Sequence, residues 1–457
     1  MTGWVTVATG RPWRDEGRLT IAKLRVLRFE NIRTLGPFCL RWSRGGNAAA
    51  LASLCLEAAT CGRMARVTEL DWSWVVSDSR DQLIARMPEL RKLVLHTPEV
   101  AGDGARILSG IAECGHLQHI ALRNSLRIVP ETRVAVDALA PRSHRSLTHL
   151  ELHGCTVTFG AGSPGALPAL RALRLDGCFV GLEDLQGLCS SAGALRTLAL
   201  LRTVHGEDDR HLRIGWLLGL AQLQDLDTLE LDACCELTPT VSERLRALSS
   251  LRHVNLADRG DVAACGVPQW LGALPATVSS LELDLGWRCA AHKTESLELL
   301  SRFERLVSCT LTSARMNGRD MEVLARAAPS LRSLAVHVHE VEGHESGEDE
   351  PDFGDLVPGP LYATGASALA GMPHLRHLGI ENEVDANGTE NALALAMIVR
   401  DIVHAVARGG RLRSVTPFRD PADRLSSGTP DDSQLIDEIA VLRGLCEEAH
   451  PPIDLFF

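Results

Sequence analysis

The residues of this chain that come nearest to a known chemical motif are the glycines between positions 160 and 165. The stretch Gly160-Ala-Gly162-Ser-Pro-Gly165 fits G-x-G-x-x-G, in which glycines let a turn approach a dinucleotide pyrophosphate. That fingerprint opens a helix after a strand, whereas Pro164 interrupts a helix start and the segment leads into a strand. We interpret it as a loop between two elements. The chain contains no Walker loop, H-E-x-x-H or G-x-S-x-G sequence, and we expect no catalytic residue, no enzymatic activity and no cofactor.

Two groups of histidines with neighbouring acids could bind a metal ion. His205 and His211 enclose three acidic residues near one turn, and His337 and His339 share one strand face beside His344. A metal site needs ligands that converge on one point and partners that hold them in place. The first group is interpreted as a solvated loop. A metal site at the second group stays an alternative, and the prediction is that the protein holds no metal.

The cysteines and the N-terminal sequence bear on the compartment in which the protein works. The 13 cysteines form no C-x-x-C pair and no regular framework, which favours free thiols in a reducing compartment. Asn387-Gly-Thr389 fits the glycosylation sequon but is interpreted as a helix cap. The start lacks the apolar core of a secretion signal, and the run Ala392–Val399 is too short to span a bilayer. We expect a cytoplasmic or nuclear protein with no membrane association.

Leucine triads supply the frame on which any functional residue must sit. Leu147, Leu150, Leu152 and Cys155 are followed one period later by Leu170, Leu173, Leu175 and Cys178. Two leucines two residues apart share one face of a strand, and the first leucine fills the bend before it. The cysteine just past the strand is small enough to be buried under the turn. One such unit cannot bury its own leucines, so neighbouring units must stack on it.

The same unit recurs along most of the chain. From Val67 to Leu331, successive starts are 23 to 31 residues apart, which is near the accepted leucine-rich period. The predicted starts are Leu24, Val67, Leu90, Leu117, Leu147, Leu170, Leu195, Leu226, Leu251, Val278, Leu306, Leu331, Leu375 and Leu412. Apolar spacing predicts short helices between strands, for example over 182–188, 241–248 and 321–327. The fold class is therefore α/β, a right-handed solenoid shaped like a horseshoe, with a parallel concave sheet and convex helices.

The units that start at Leu170 and Leu226 resemble cysteine-containing leucine-rich repeats, a subclass related to ribonuclease-inhibitor-type repeats. The resemblance covers about residues 24–417 and is similar to the repeat region of F-box leucine-rich-repeat proteins. It implies the solenoid fold, and F-box proteins imply a ubiquitin-ligase substrate receptor. Residues 1–60 depart from that pattern, because they contain no Leu-Pro-x-Glu opening and no recognisable F-box.

The domain plan follows from the period and its breaks. Residues 1–23 are predicted as an N-terminal cap, 24–417 as the solenoid and 418–457 as a C-terminal helical cap. The solenoid is interrupted at 340–358, where residues 340–355 hold eight carboxylates and predict a disordered loop that offers a second acidic contact. The last helix should begin at Thr429. The tail at 453–457 should fold back on that helix, although a short docking peptide is an alternative.

The concave face is the most informative surface, because residues that alternate with the leucines point into the horseshoe. The residues predicted to bind a partner are His149, Glu151, His153, Arg174, Asp176, Glu230, Asp232, His253, Asn255, Glu282 and Asp284. Over six repeats this gives six carboxylates and one arginine, which favours a basic protein partner. An ordinary solvated sheet face is the alternative.

A second row of residues follows the bend leucine, and many of its members are arginines. They are Arg91, Arg171, Arg196, Arg252, Arg332, Arg376 and Arg413. We interpret their stems as cover for leucines along the flank, with nucleic-acid binding as the alternative. The formal net charge of −11 argues against general affinity for nucleic acid or anionic membranes, and we expect no nucleic-acid partner.

These observations predict a non-catalytic scaffold that binds a protein through the concave face. Three alternatives remain open: a ubiquitin-ligase substrate receptor, a leucine-rich GTPase regulator and a structural subunit of a large assembly. The GTPase role would need an arginine at a strand-to-loop edge, and only Arg123 and Arg174 are placed even loosely for it. The sequence leaves the oligomeric state open.

Overall fold

The structure is a computed structural model in which part of the chain is described. The described residues are 34–35, 56–73, 84–97, 111, 113–124, 133–136, 145–158, 167–181, 184, 189, 192–201, 220, 222–232, 237–257, 266–285, 290–316, 318–338, 367–381, 400, 403–404, 412–417, 440–449 and 452–455. The predicted N-terminal cap, the glycine loop at 160–165, the histidine loop at 205–211, the insertion at 340–358 and the sequon at 387–389 lie outside them. So do His339, His344 and the side chains of Asp232 and His337.

The chain divides into two units, and the first comprises Met1–Thr228. Its described strands are β1 (Thr34–Leu35), β2 (Glu69–Ser73), β3 (Lys92–Thr97), β4 (His119–Asn124), β5 (Arg133–Ala135), β6 (His149–His153), β7 (Thr156–Thr158), β8 (Ala172–Asp176), β9 (Phe179–Val180) and β10 (Thr197–Leu201). The main sheet has the order β1-β2-β3-β4-β6-β8-β10, and each described pair is parallel.

The second unit comprises Leu229–Phe457, and its first strand begins one residue before that boundary. The elements, in chain order, are β11 (Thr228–Asp232), α1 (Pro239–Arg246), β12 (His253–Ala257), α2 (Val267–Ala273), β13 (Ser280–Asp284), α3 (Ala290–Leu299), a 3-10 turn (Leu300–Arg302), β14 (Ser308–Met316), α4 (Gly318–Ala327), β15 (Ser333–Val338), β16 (His377–Glu381), β17 (Ser414–Pro417) and β18 (Asp454–Leu455). From β12 to β18 the strands pair in parallel and in chain order.

The leucine frame explains why these residues form strands. Leu173 pairs with Leu150 on one side and Leu198 on the other, so the inward positions of neighbouring strands lie side by side. Of the predicted repeat starts, all from Val67 to Leu412 are buried, with no more than 1% of their surface exposed. The prediction that these positions form the core is confirmed for the described residues, while Leu24 lies outside them. Both units are therefore α/β arrangements with a parallel sheet, compatible with a repeat solenoid.

The turn after β6 and β8 uses the same residues in both repeats. Gly154 and Gly177 have φ values of 67° and 63°, a region in which side-chain-bearing residues are strained. The next residue in each repeat is a buried cysteine, and the Cys178 thiol donates a hydrogen bond to the Leu152 carbonyl at 3.2 Å. The small, buried donor that the sequence predicts under this turn is confirmed.

The helices follow local sequence rules. Helix α1 begins after Thr238, whose side-chain oxygen accepts a hydrogen bond from the Val241 N–H, and Pro239 is at its start. It covers most of the predicted 241–248 segment, and α4 contains all of the predicted 321–327 segment. An ion pair between Lys293 of α3 and the buried Asp320 of α4 links two neighbouring helices.

One part of the first unit differs from the expectations. In the first unit, β5, β7 and β9 form a second small parallel sheet that the sequence pattern did not predict. These strands are two or three residues long, too short for an alternating pattern to be visible.

The C-terminal tail folds back as predicted and also adds a strand. The Ile453 N–H donates to the Cys446 carbonyl of the last helix at 2.9 Å, and β18 then pairs with β17. Pro417 at the end of the last predicted repeat favours a sheet edge, but β17 is not the edge, so that interpretation of the sequence is wrong. Strand β18 pairs only with Ser414 and Val415, so Pro417 is not required to donate to it.

Candidate partner-binding surface

The residues predicted to bind a partner lie on one side of the parallel strands, at positions that alternate with the buried leucines. We call these positions the outer strand face. In the first unit they include His149, Glu151, His153, Arg174 and Asp176 on β6 and β8. In the second unit they include Glu230, Asp232, His253, Asn255, Glu282 and Asp284 on β11, β12 and β13.

Register determines which of these residues meet in the first unit. Arg123 of β4, His153 of β6 and Asp176 of β8 pair across three neighbouring strands. Glu151 and Arg174 form the adjacent pair, two residues earlier on β6 and β8. The sequence predicts four of these five residues as one binding surface, and the structure brings them together with Arg123, for which the sequence suggests only a GTPase role.

Glu151 and His153 are the centre of an ionic network. The Arg123 guanidinium donates to Glu151 at 3.1 Å, and His153 Nε2 lies 2.7 Å from the same carboxylate. On its other side, His153 Nδ1 lies 3.5 Å from Asp176 Oδ2. The imidazole is thus placed between two carboxylates, an arrangement that favours its protonated form. We call Arg123, Glu151, His153 and Asp176 the acid–histidine network.

Both titratable centres of the network have displaced pKa values. Burial lowers the pKa of His153, but its hydrogen bonds to Asp176 and Glu151 outweigh burial and raise the pKa to about 9. The hydrogen bond from His153 lowers the pKa of Glu151 to about 2, with a further contribution from Arg123 and against the effect of burial. At neutral pH the network therefore contains a charged imidazole, and its positive and negative charges largely balance.

A pair of histidines lies on the neighbouring strands β4 and β6, four residues before Arg123 and His153. The rings of His119 and His149 are stacked, with centroids 5.5 Å apart and planes within 9° of each other. Burial lowers the pKa of His119, and the charge of Lys92 and the nearby His149 lower it further. Sequence reasoning missed His119 as a partner of His149, although both occupy the same position after the starts Leu117 and Leu147.

Apolar residues also occupy the outer strand face of the first unit, and they are buried. Val94, Ala121, Ala199 and Leu201 have at most 5% of their surface exposed, and Asp176 has 8%. This face therefore contributes side chains to the packed interior of the first unit as well as to its surface. Glu151, His153 and Arg174 remain partly exposed beside them.

The outer strand face of the second unit is more open and more acidic. Glu282 and His253 are exposed, and Glu230, Asn255 and Asp284 are half-buried. The neighbouring strand β14 offers Ser308, Thr310 and Thr312, which pair with Ser280, Glu282 and Asp284. At the in-register outer positions of β12 to β17 no residue is Lys or Arg. The carboxylates of this surface thus share it with hydroxyl groups and histidines.

Among the described residues, no group of three or more His, Cys, Asp or Glu side chains is arranged to hold a metal ion. The described cysteines Cys61, Cys114, Cys155, Cys178, Cys189, Cys309 and Cys446 are free thiols. Cys155 and Cys178 are neighbours, with sulfurs 3.8 Å apart. None of the helices described here has both the length and the apolar composition needed to cross a bilayer.

Comparison of the sequence with models of known protein families gave no match, and comparison with curated protein sequences gave none.

Proposed function

We propose that the chain is a right-handed leucine-rich-repeat solenoid of the cysteine-containing subclass, and that it acts as a non-catalytic scaffold for a protein partner. The in-register leucines at Leu150, Leu173 and Leu198 support the repeat assignment. The buried cysteines that follow β6 and β8 support the subclass. Each repeat of such an array adds one strand to a continuous surface, which is suited to an extended partner.

The partner is a protein with a basic segment, and it binds the outer strand face of the second unit. The observation that carries this proposal is the distribution of charge at the outer positions. Glu230 lies on β11, and Glu282 and Asp284 lie on β13, with only β12 between these strands. Lys and Arg do not occur at the in-register outer positions from β12 to β17. A surface of one charge sign accelerates and orients the encounter with a partner of the opposite sign.

The first unit has a different role in this proposal. The carboxylates of the acid–histidine network are paired with the positive charges of Arg123 and His153, so this face does not present a surface of one charge sign. Arg123, which a GTPase regulator would present to a nucleotide, donates instead to Glu151. We therefore propose the second unit as the recognition surface.

Affinity capture followed by mass spectrometry tests the proposal. The wild-type chain is compared with the double variant Glu230→Lys/Glu282→Lys and with a control, Glu243→Lys/Glu298→Lys, which reverses two exposed carboxylates on α1 and α3. We expect basic proteins that the wild type and the control capture to be depleted with the strand-face variant. Equal capture by all three chains would contradict the proposed surface.

A further inference from the structure

Three exposed arginines lie side by side in the second unit, each one residue before a strand. The Arg376 N–H donates to the Arg332 carbonyl at 2.8 Å, and the Arg413 N–H donates to the Arg376 carbonyl at 2.6 Å. The three residues are therefore in register, and their Cα atoms are about 4.8 Å apart, the usual spacing of neighbouring strands. We call Arg332, Arg376 and Arg413 the arginine row.

The arginine row holds three positive charges without anionic partners. In the described part of the chain none of the three side chains makes a hydrogen bond or an ion pair, and all three are exposed. Arg252, at the equivalent position before β12, differs because its guanidinium donates to the carbonyls of Ser249 and Leu251. Like charges at strand spacing repel each other even in water. An anionic ligand would relieve that repulsion.

The two ends of the arginine row differ. Val307, the equivalent residue before β14, accepts a hydrogen bond from the Arg332 N–H and has 38% of its surface exposed. On the other side Ile453 precedes β18 and is buried. A ligand along the row thus meets an exposed apolar side chain at one end and three guanidinium groups after it.

These features favour a short acidic peptide over a nucleic acid. Guanidinium groups bind carboxylates through pairs of parallel hydrogen bonds. The row spans only three strands, and Glu282 and Asp284 lie two strands before it, on β13, so a longer polyanion that continued in that direction would be repelled. Val307 offers an apolar contact that a peptide side chain can use and a phosphate backbone cannot.

We propose that the arginine row is a second binding site, which takes a short acidic peptide segment of a protein, with an apolar residue of that peptide against Val307. The site has the opposite charge from the outer strand face and uses different positions of the repeat. Experiments can therefore confirm or exclude this site without deciding whether the outer strand face binds a basic segment.

Fluorescence anisotropy with the full chain tests this site. The probe is a labelled glutamate-rich peptide with a leucine at one end, and a single-stranded oligonucleotide of similar charge is the second probe. The row variant carries Arg332→Gln, Arg376→Gln and Arg413→Gln. The control carries Arg244→Gln, Arg319→Gln and Arg443→Gln, which remove three exposed arginines elsewhere in the second unit. If the triple variant does not fold, the single variant Arg376→Glu replaces it in the binding assay.

We expect the row variant to bind the peptide about tenfold more weakly than the wild type, because three exposed charge pairs are lost. The control should bind as the wild type does, and added salt should weaken wild-type binding. Val307→Ser should weaken binding of the leucine-ended peptide about threefold and leave a serine-ended peptide unchanged.

Several results would overturn the proposal. Undetectable wild-type binding, or equal binding by the row variant and the wild type, would exclude the arginines as an acidic-peptide site. Tighter binding of the oligonucleotide through the same arginines would show that the ligand of this site is a nucleic acid and not a peptide. An equal effect of Val307→Ser on both peptides would exclude the apolar contact.

Discussion

The two units place their leucines alike and use the opposite side of the strands differently. In the first unit, Arg123, Glu151, His153 and Asp176 neutralise one another across three neighbouring strands. In the second unit, Glu230, Glu282 and Asp284 occupy corresponding outer positions, which from β12 to β17 hold no Lys or Arg. A repeat frame fixes where side chains point but leaves their chemistry free, so one unit can use these positions for cohesion and the other for recognition.

The largest expected effects concern what the two units share, which is the leucine core. Leu173 of the first unit and Leu281 of the second are both almost completely buried. Replacing either by alanine should lower the free energy of unfolding by about 3 kcal/mol, because each change leaves a cavity. Urea denaturation measures this, with Val307→Ala as a control at an exposed position. A cost below about 1 kcal/mol for only one leucine would show that the two cores are not packed alike.

The next pair of substitutions should change the stability of the protein by different amounts in the two units. His153 is held between two carboxylates, so His153→Ala removes a charge-assisted hydrogen bond to Glu151 and an ion pair with Asp176, and it leaves these two carboxylates near each other. We expect a loss of about 2 kcal/mol in the free energy of unfolding. His253→Ala, at an exposed position of the second unit, should leave the melting temperature nearly unchanged. Similar effects of the two substitutions would show that the outer strand faces of the two units contribute equally to stability.

The pH dependence of stability gives a smaller and more specific signal. The folded state raises the pKa of His153 from 6.5 to about 9, so its stabilising effect is complete below pH 6.5 and is lost as the pH rises towards 9. The loss should be about 1–2 kcal/mol, since His153 is partly exposed. The pKa of Glu151 is lowered from 4.5 to about 2, so its contribution persists above pH 4.5 and disappears as the pH falls towards 2.

Urea denaturation across this pH range checks the prediction, with His153→Gln as the matched variant. The variant should lack the alkaline loss that the wild type shows between pH 6.5 and 9. Nuclear magnetic resonance titration of the His153 imidazole should give a midpoint near 9, well above its ordinary value of 6.5. A midpoint for His153 near its ordinary value would mean that the acid–histidine network does not form.

The sequence was sufficient to predict the frame, because burial of leucine and the alternation of strands are local properties. The repeat starts at Leu147 and Leu170 are fully buried, as their spacing predicts. The sequence was also sufficient to assign His153 and Asp176 to one face of the sheet. Their mutual contact depends on which residues lie opposite each other on neighbouring strands, and on the direction of each side chain. Those properties are not visible in a single repeat.

The elements that the sequence did not predict are short or depend on distant partners. Strand β18 has two residues, and its pairing with β17 joins positions that are about forty residues apart in the chain. The balance of charge in the first unit was also missed. The predicted surface treated all six carboxylates alike, whereas Arg123, which binds Glu151, belongs to the repeat that precedes those six repeats.

The measurement that tests the central claim most directly is the binding of a labelled lysine-rich peptide by fluorescence anisotropy. Glu230→Lys/Glu282→Lys should bind at least about tenfold more weakly than the wild type, since two attractive contacts become repulsive. The melting temperature should be nearly unchanged, because Glu282 is exposed and Glu230 is only half-buried. The helix variant Glu243→Lys/Glu298→Lys should bind as the wild type does. If both variants bind equally well, the outer strand face of the second unit is not the recognition surface.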